Sequence, residues 1–149
     1  MALAIGTKAP EFTLPSTSGN SITLSEDLAD KSCVLYFYPK DFTPGCNAEA
    51  CEFRDHFETF RDLDIPVIGI SKDSIETHLK FQKKHKLPFE LLSDRFGTVV
   101  KKYDALMPII NLPNRVTYLL DKKHVVRAVY KDQFGSKNHI KAMLKEINK

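Results

Sequence analysis

Cys46 and Cys51 are the residues of this chain best placed to do chemistry, because of what surrounds them. They stand in the stretch Tyr36-Phe-Tyr-Pro-Lys-Asp-Phe-Thr-Pro-Gly-Cys-Asn-Ala-Glu-Ala-Cys51. There an apolar, β-prone run ends, a turn follows at Pro39, Pro44 and Gly45, and a helix begins. The thiolate, not the thiol, is the nucleophile, and a free cysteine is mostly protonated at neutral pH. The first turn of a helix offers unpaired backbone N–H groups and the positive end of the helix dipole, and both favour the anion. Cys46 falls in such a turn. A cation would add to the effect. Arg115 is the candidate, since it opens the strand expected to lie beside residues 34–38. Thr43 supplies a hydroxyl able to donate to an incoming oxygen, and Pro39 and Pro44 stiffen the loop and remove two N–H groups, shielding the sulfur from bulk water.

Most free cysteines are small buried hydrophobes, and a Cys-x-x-x-x-Cys pair alone says little. What favours chemistry is Pro-x-x-x-Thr-x-x-Cys at a strand-to-helix junction, with a second cysteine beyond it. Three alternatives fit less well. A thioredoxin-like disulfide reductase calls for Cys-x-x-Cys. A phosphatase loop of the Cys-x5-Arg type needs arginine where Glu52 stands. A non-catalytic redox sensor or chaperone module would leave Cys46 slow to oxidise and without turnover.

The elements that must position these residues follow from periodicity and turn chemistry. Short β-prone pieces at 11–14 and 21–24, around Ser18-Gly19-Asn20, predict an N-terminal hairpin. Ser25 is the expected cap of a helical turn reaching Asp30, and residues 32–38 form a buried strand. A helix from about Pro44 to Leu63 places Cys46, Ala50, Phe53, Phe57 and Phe60 on one core-facing stripe, with Cys51 on the polar side. A second buried strand covers 65–71. Ser74 caps a helix to about His85, with Ile75, Leu79 and Phe81 inward. A short strand at 89–92, a short helix at 98–103 and an irregular apolar loop at 104–114 come next. Strands at 116–120 and 125–130 pair antiparallel, and a helix opened by Ser136 or Asn138 runs to Ile147. Strands alternating with helices imply an α/β fold, a central mixed sheet flanked by helices. The arrangement is thioredoxin-like, in one domain over residues 1–149, with the N-terminal hairpin and the 74–103 region as additions.

The segment from Tyr36 to Cys46, with Ala50-Cys51, closely resembles the active-site segment of peroxiredoxins of the bacterioferritin-comigratory (Q-type) branch. The likeness covers nearly the whole chain: Gly6-Thr-Lys-Ala-Pro-Glu-Phe-Thr-Leu-Pro15, Val67-Ile-Gly-Ile-Ser71, Leu91-Leu-Ser-Asp94 and Arg115-Val-Thr-Tyr-Leu-Leu-Asp121. It implies that Cys46 is the peroxidatic cysteine and Cys51 the resolving one. It also implies that Pro39, Thr43 and Arg115 complete the peroxide pocket, with Glu49 orienting polar groups behind it. The activity implied is thiol-dependent reduction of hydrogen peroxide and organic hydroperoxides, in antioxidant defence. Cys46 would become a sulfenic acid, condense with Cys51 to an intramolecular disulfide, and be recycled by thioredoxin or a similar dithiol. No cofactor or metal is called for. A resolving cysteine in the same chain makes a monomer sufficient without forbidding a dimer. On an intact helix, residues five apart have Cα atoms about 8–9 Å apart, whereas a disulfide spans at most about 6.8 Å. The first turns must therefore unravel before the two sulfurs join.

Composition narrows the setting. The chain has 149 residues, and a formal charge of only +3 with no aromatics interleaved among its lysines argues against a nucleic-acid partner. No apolar run approaches a membrane span, and the N-terminus lacks the pattern of a signal peptide. Three cysteines are too few and too odd for a disulfide framework, which points to a reducing compartment, the cytoplasm. Cys33 is expected in the core. The histidines at 56, 78, 85, 124 and 139 form no ligand pattern, and His78 and His85, on one helix face, are expected in solvent. The apolar segment Pro108–Pro113 could line the pocket, meet a partner or simply fill a loop. Asn47, where relatives commonly carry threonine, is expected to point away from the core.

Overall fold

The computed structural model describes residues 2–131 and 136–147, with side chains in the second stretch from 140 onward. In chain order the elements are β1 (Thr13–Pro15), β2 (Ser21–Thr23), α1 (Leu24–Asp27), β3 (Cys33–Phe37), α2 (Pro44–Asp55), α3 (Phe57–Asp62) and β4 (Val67–Ser71). They continue with α4 (Ile75–His85), β5 (Glu90–Ser93), α5 (Thr98–Lys102), β6 (Val116–Leu120), β7 (Val126–Lys131) and α6 (Ser136–Ile147). β3, β4 and β6 are buried at every position, as expected for strands covered on both faces. They form the middle of a five-stranded sheet in the order β5-β4-β3-β6-β7. β3 runs parallel to β4 and β4 to β5, whereas β6 is antiparallel to both β3 and β7.

Side chains alternate across β3 and so supply two cores. Cys33, Leu35 and Phe37 face the cluster under the N-terminal hairpin and α5, with Phe12, Leu14, Val100 and Tyr103. Val34, Tyr36 and Tyr38 face the opposite cluster, with Cys46, Ala50, Phe53, Phe60, Phe81 and Met143. The second cluster roots the site. Gly69 of β4 is required here, because a Cβ would lie 2.7 Å from the Tyr36 ring and 2.8 Å from Leu91.

Four local expectations change. The helix predicted as continuous from 44 to 63 is interrupted at His56, whose φ of −103° and ψ of 8° leave the helical region, so α3 starts afresh. α1 begins at Leu24 behind Thr23 and ends at Asp27. Ser25 does not cap it, because its hydroxyl and backbone N–H both go to the Glu11 carboxylate. Ser74 does cap α4, accepting from the Thr77 N–H at 3.2 Å. The inward face of that helix, however, is His78 and Phe81, while Leu79 lies in solvent. A polar partner waiting on the sheet side decides this against hydropathy.

Candidate active site

Beyond β3 the chain leaves the sheet through Tyr38 and turns at residues 39–43. Asp41 is swung inward and is almost wholly buried. Its carboxylate accepts the Tyr38 hydroxyl at 2.6 Å on one oxygen and stands 2.6 Å from His78 Nδ1 on the other. The Asp41 backbone N–H donates to Asp73 at 2.9 Å. The next residue, Phe42, is held at φ 64°, a left-handed conformation that costs a bulky side chain about 1–3 kcal/mol. The Asp41 anchors on one side and the edge-on contact of the Phe42 ring with Phe81, at 5.2 Å, on the other keep it there. Thr43 has the extended backbone of an N-cap, but its hydroxyl donates to the Lys40 carbonyl at 2.8 Å and closes the turn. Pro44 then opens α2 at a position where its missing N–H is no loss.

Two residues into α2, Cys46 is 1% exposed. Arg115 approaches from the start of β6, where Val116 pairs with Phe37 at the end of β3. Its Nη2 donates to Cys46 Sγ at 3.4 Å, and its Nη1 donates to Glu49 Oε1 at 2.9 Å. The fork of one guanidinium thus ties the sulfur to a carboxylate one turn along the helix. A guanidinium has no acceptor, so the sulfur takes the accepting role. Burial pulls the Arg115 pKa down, but Glu49 and Cys46 outweigh it and the net shift is upward. Burial pushes Glu49 up to about 7, against the pull of Arg115. Glu49 Oε2 and Arg115 Nε are buried without a hydrogen-bond partner among the described residues.

Cys51 lies on the same unbroken helix, half-buried, with Sγ 3.7 Å from His85 Nδ1 at the end of α4. All three cysteines are free. Cys33 belongs to the other face of the sheet, and burial pushes its thiol up to about 12.

The chain matches the AhpC/TSA family over residues 5–129. It belongs to that family. It is 46% identical over 141 residues to the chloroplastic peroxiredoxin Q of Sedum lineare, covering 94% of this chain and 75% of that one. It is 43% identical over 136 residues to a putative peroxiredoxin bcp of Coxiella burnetii, covering 87% and 89%. The chain spans 64–66% of the length of several other plant peroxiredoxin Q relatives. Among solved structures, peroxidoxin BcpB of Mycobacterium tuberculosis superposes with a TM-score of 0.90 at 32% identity, covering 98% of this chain and 97% of that one. The fold is the thioredoxin fold of peroxiredoxins, and the likeness to peroxiredoxin Q and bcp proteins supports thiol-dependent peroxidase chemistry.

Measured against that membership, the sequence-derived site residues divide in two. Cys46, Arg115 and Glu49 meet in one contact set, with Thr43 and Pro39 in the loop that leads into it. Cys51 stands apart, on a face turned toward α4 rather than to solvent. The expectation that His78 and His85 lie in solvent fails. His78 is fully buried because Asp41 and the Leu92 carbonyl, 2.9 Å from its Nε2, satisfy both ring nitrogens. His85 is half-buried against Cys51. Ligand-capable atoms of Asp41, Asp73 and His78 lie within 4.8 Å of one another, but they already hydrogen-bond to one another, to the Asp41 N–H and to Tyr38, Ser71 and Leu92. Asn47 is half-buried, with its Oδ1 buried and without a partner among the described residues. Ile109 and Ile110 of the 104–114 loop are 94% and 63% exposed, so they face solvent.

Proposed function

We propose that this chain reduces hydrogen peroxide and organic hydroperoxides with Cys46 as the attacking thiol and Cys51 as the resolving one. The observation that carries the reading is the Arg115 fork, which holds a buried sulfur and a buried carboxylate in one cationic grip. The Cys46 thiolate attacks one peroxide oxygen, the O–O bond breaks, and hydroxide or alkoxide leaves as Cys46 becomes a sulfenic acid. Charge moves from sulfur to the leaving oxygen during this displacement. Donors fixed beforehand stabilise that charge most in the transition state, and Arg115 and the first N–H groups of α2 are the donors at hand; Thr43 joins them once its hydroxyl turns from the Lys40 carbonyl. Pro39 stiffens the loop, and Glu49 holds the guanidinium in place. Cys51 then displaces hydroxide from the Cys46 sulfur to give the disulfide. A dithiol such as thioredoxin reduces it by exchange.

Nothing in this sequence of steps needs a second subunit, a metal, a cofactor, nucleic acid or a membrane; we propose a cytoplasmic single domain for which a monomer suffices and a dimer is not forbidden. No helix among the described residues is long and apolar enough to cross a membrane. The test is peroxide-dependent turnover with thioredoxin, run with hydrogen peroxide and with an alkyl hydroperoxide. Cys46→Ser is expected to be inactive. Cys51→Ser keeps the first oxidation but fails to recycle through thioredoxin. Normal turnover by Cys46→Ser would remove the assignment.

A further inference from the structure

Cys51 and His85 meet across two helices that the sequence gives no reason to join. Sγ of Cys51 is 3.7 Å from His85 Nδ1, within reach of a sulfur hydrogen bond. The other ring nitrogen, Nε2, is buried without a partner among the described residues. The ring sits edge-on against Phe81 at 4.9 Å. With the ring proton on Nε2, Nδ1 accepts the Cys51 S–H, and nothing else competes for Nδ1 among the described residues. We infer that His85 is a catalytic residue of the resolving step, the acceptor of the Cys51 proton.

This inference rests on the resolving role proposed for Cys51. The step balances without an outside reagent. As the Cys51 S–H bond breaks, its proton passes to His85 Nδ1, and the electron pair left on sulfur attacks the sulfur of the Cys46 sulfenic acid. The S–S bond forms and the S–O bond breaks. The departing hydroxide takes the proton back from His85 and leaves as water. The ring returns to its starting state.

Geometry keeps the base in place when it is needed. The unravelling that brings the sulfurs together involves the first turns of α2, ahead of Cys51. Beyond Cys51, Arg54 donates from Nη1 to the His85 carbonyl at 2.8 Å and fastens that part of α2 to the end of α4. Cys46 thus travels to Cys51, while Cys51 stays beside His85. The charged groups that face the ring are Arg54 from α2 and Lys84 from α4 itself. After burial, these two cations also lower the His85 pKa below its ordinary value of 6.5. The ring is therefore neutral, and able to accept, at neutral pH.

The experiment follows single turnovers of the full, reduced chain. After mixing with peroxide, samples are acid-quenched and alkylated, and mass spectrometry counts the Cys46 sulfenic acid and the Cys46–Cys51 disulfide. In the wild type, the rate of disulfide formation is expected to rise with pH and level off below pH 7, once His85 is neutral. An unassisted thiol would keep climbing to about pH 8.5, its ordinary pKa. In His85→Gln and His85→Asn the plateau disappears, and at pH 7 disulfide formation slows at least about ten-fold relative to sulfenic acid formation. A wild-type rate that itself climbs into the alkaline range overturns the role of His85 and requires no variant to fold. So do variants with the wild-type profile. In both cases Cys51 remains the resolving thiol. Absence of any Cys46–Cys51 disulfide in oxidised wild type overturns the resolving role itself, and that of His85 with it.

Discussion

Arg115 stands over Gly45 so closely that a methyl group on the glycine would come within 2.7 Å of its Nη2. The same nitrogen is the one that donates to Cys46. Gly45 has an ordinary helical backbone, so its value lies in the space it leaves for the guanidinium. In Gly45→Ala the helix keeps its backbone and gains in propensity. The far end of the arginine, being flexible, moves off the sulfur. The expected result is an unchanged or slightly higher melting temperature together with a rate of Cys46 oxidation lowered at least about 100-fold, the usual loss when one transition-state donor is removed. Stopped-flow peroxide kinetics and thermal unfolding on the same sample check both halves. A variant that keeps its oxidation rate would mean the Arg115–Cys46 contact contributes little.

The Asp41–His78 pair makes a different demand. Because the Leu92 carbonyl can only accept, His78 Nε2 donates to it, and Nδ1 faces the Asp41 carboxylate at 2.6 Å. His78→Ala leaves that carboxylate buried with the Tyr38 hydroxyl as its remaining side-chain partner. Removing one member of a buried pair typically costs about 3–5 kcal/mol. Urea unfolding should show a loss of that order. Asp41→Asn, which retains a hydrogen-bonding group, should lose less in stability. Both variants should slow Cys46 oxidation, since Phe42 and Thr43 lose the anchor that fixes their turn. A loss below about 1 kcal/mol for His78→Ala would show that the surroundings repack around the gap.

The contrast between these two sites shows which parts of the molecule were legible in the sequence. The β3–α2 junction was readable because a run of apolar residues, two prolines and a glycine mark it locally. Arg115 was readable because strand order alone brings the start of β6 to the end of β3. His78 was not. Helical periodicity ranks Leu79 above histidine for the inward face, and the residue that reverses this, Asp41, lies 37 positions away on a loop. The Cys51–His85 contact failed for the same reason, since it spans 34 positions and depends on how α2 packs on α4. The interruption at His56 carries no proline or glycine to announce it. Local rules find elements and their junctions, whereas polar pairs between elements depend on tertiary packing.

Glu49 links stability to pH with a sign opposite to the usual carboxylate. Its pKa rises from the ordinary 4.5 to about 7 because burial opposes its charge more than Arg115 favours it. The folded state therefore binds more protons than the unfolded one between these values. The contribution of Glu49 to stability is fully present below about pH 4.5 and is lost as pH rises through 7. In Glu49→Gln that dependence should vanish while the bond to Arg115 Nη1 persists through the amide oxygen. Urea midpoints taken from pH 4.5 to 8 for both proteins give the difference directly. Parallel curves would place the Glu49 carboxyl in its ordinary range.

The last prediction concerns the helix as a moving part. α2 is continuous from Pro44 to Asp55, so Cys46 and Cys51 sit on different faces of a regular helix, one turned to Arg115 and the other to His85. Their Cα atoms are about 8–9 Å apart on such a helix, and a disulfide closes at no more than about 6.8 Å. The Arg115 contact must break first, because it holds the sulfur that has to travel. Oxidation should therefore release the amides of residues 47–51 from protection, with exchange at least about ten-fold faster than in the reduced protein. Arg54 keeps its hold on the His85 carbonyl, so protection at residues 53–60 should change far less. Hydrogen exchange read by mass spectrometry on reduced and peroxide-treated protein, with far-UV circular dichroism alongside, makes the comparison. Matching exchange over residues 44–56 in the two states would mean that the sulfurs meet without unwinding, which a regular helix does not permit.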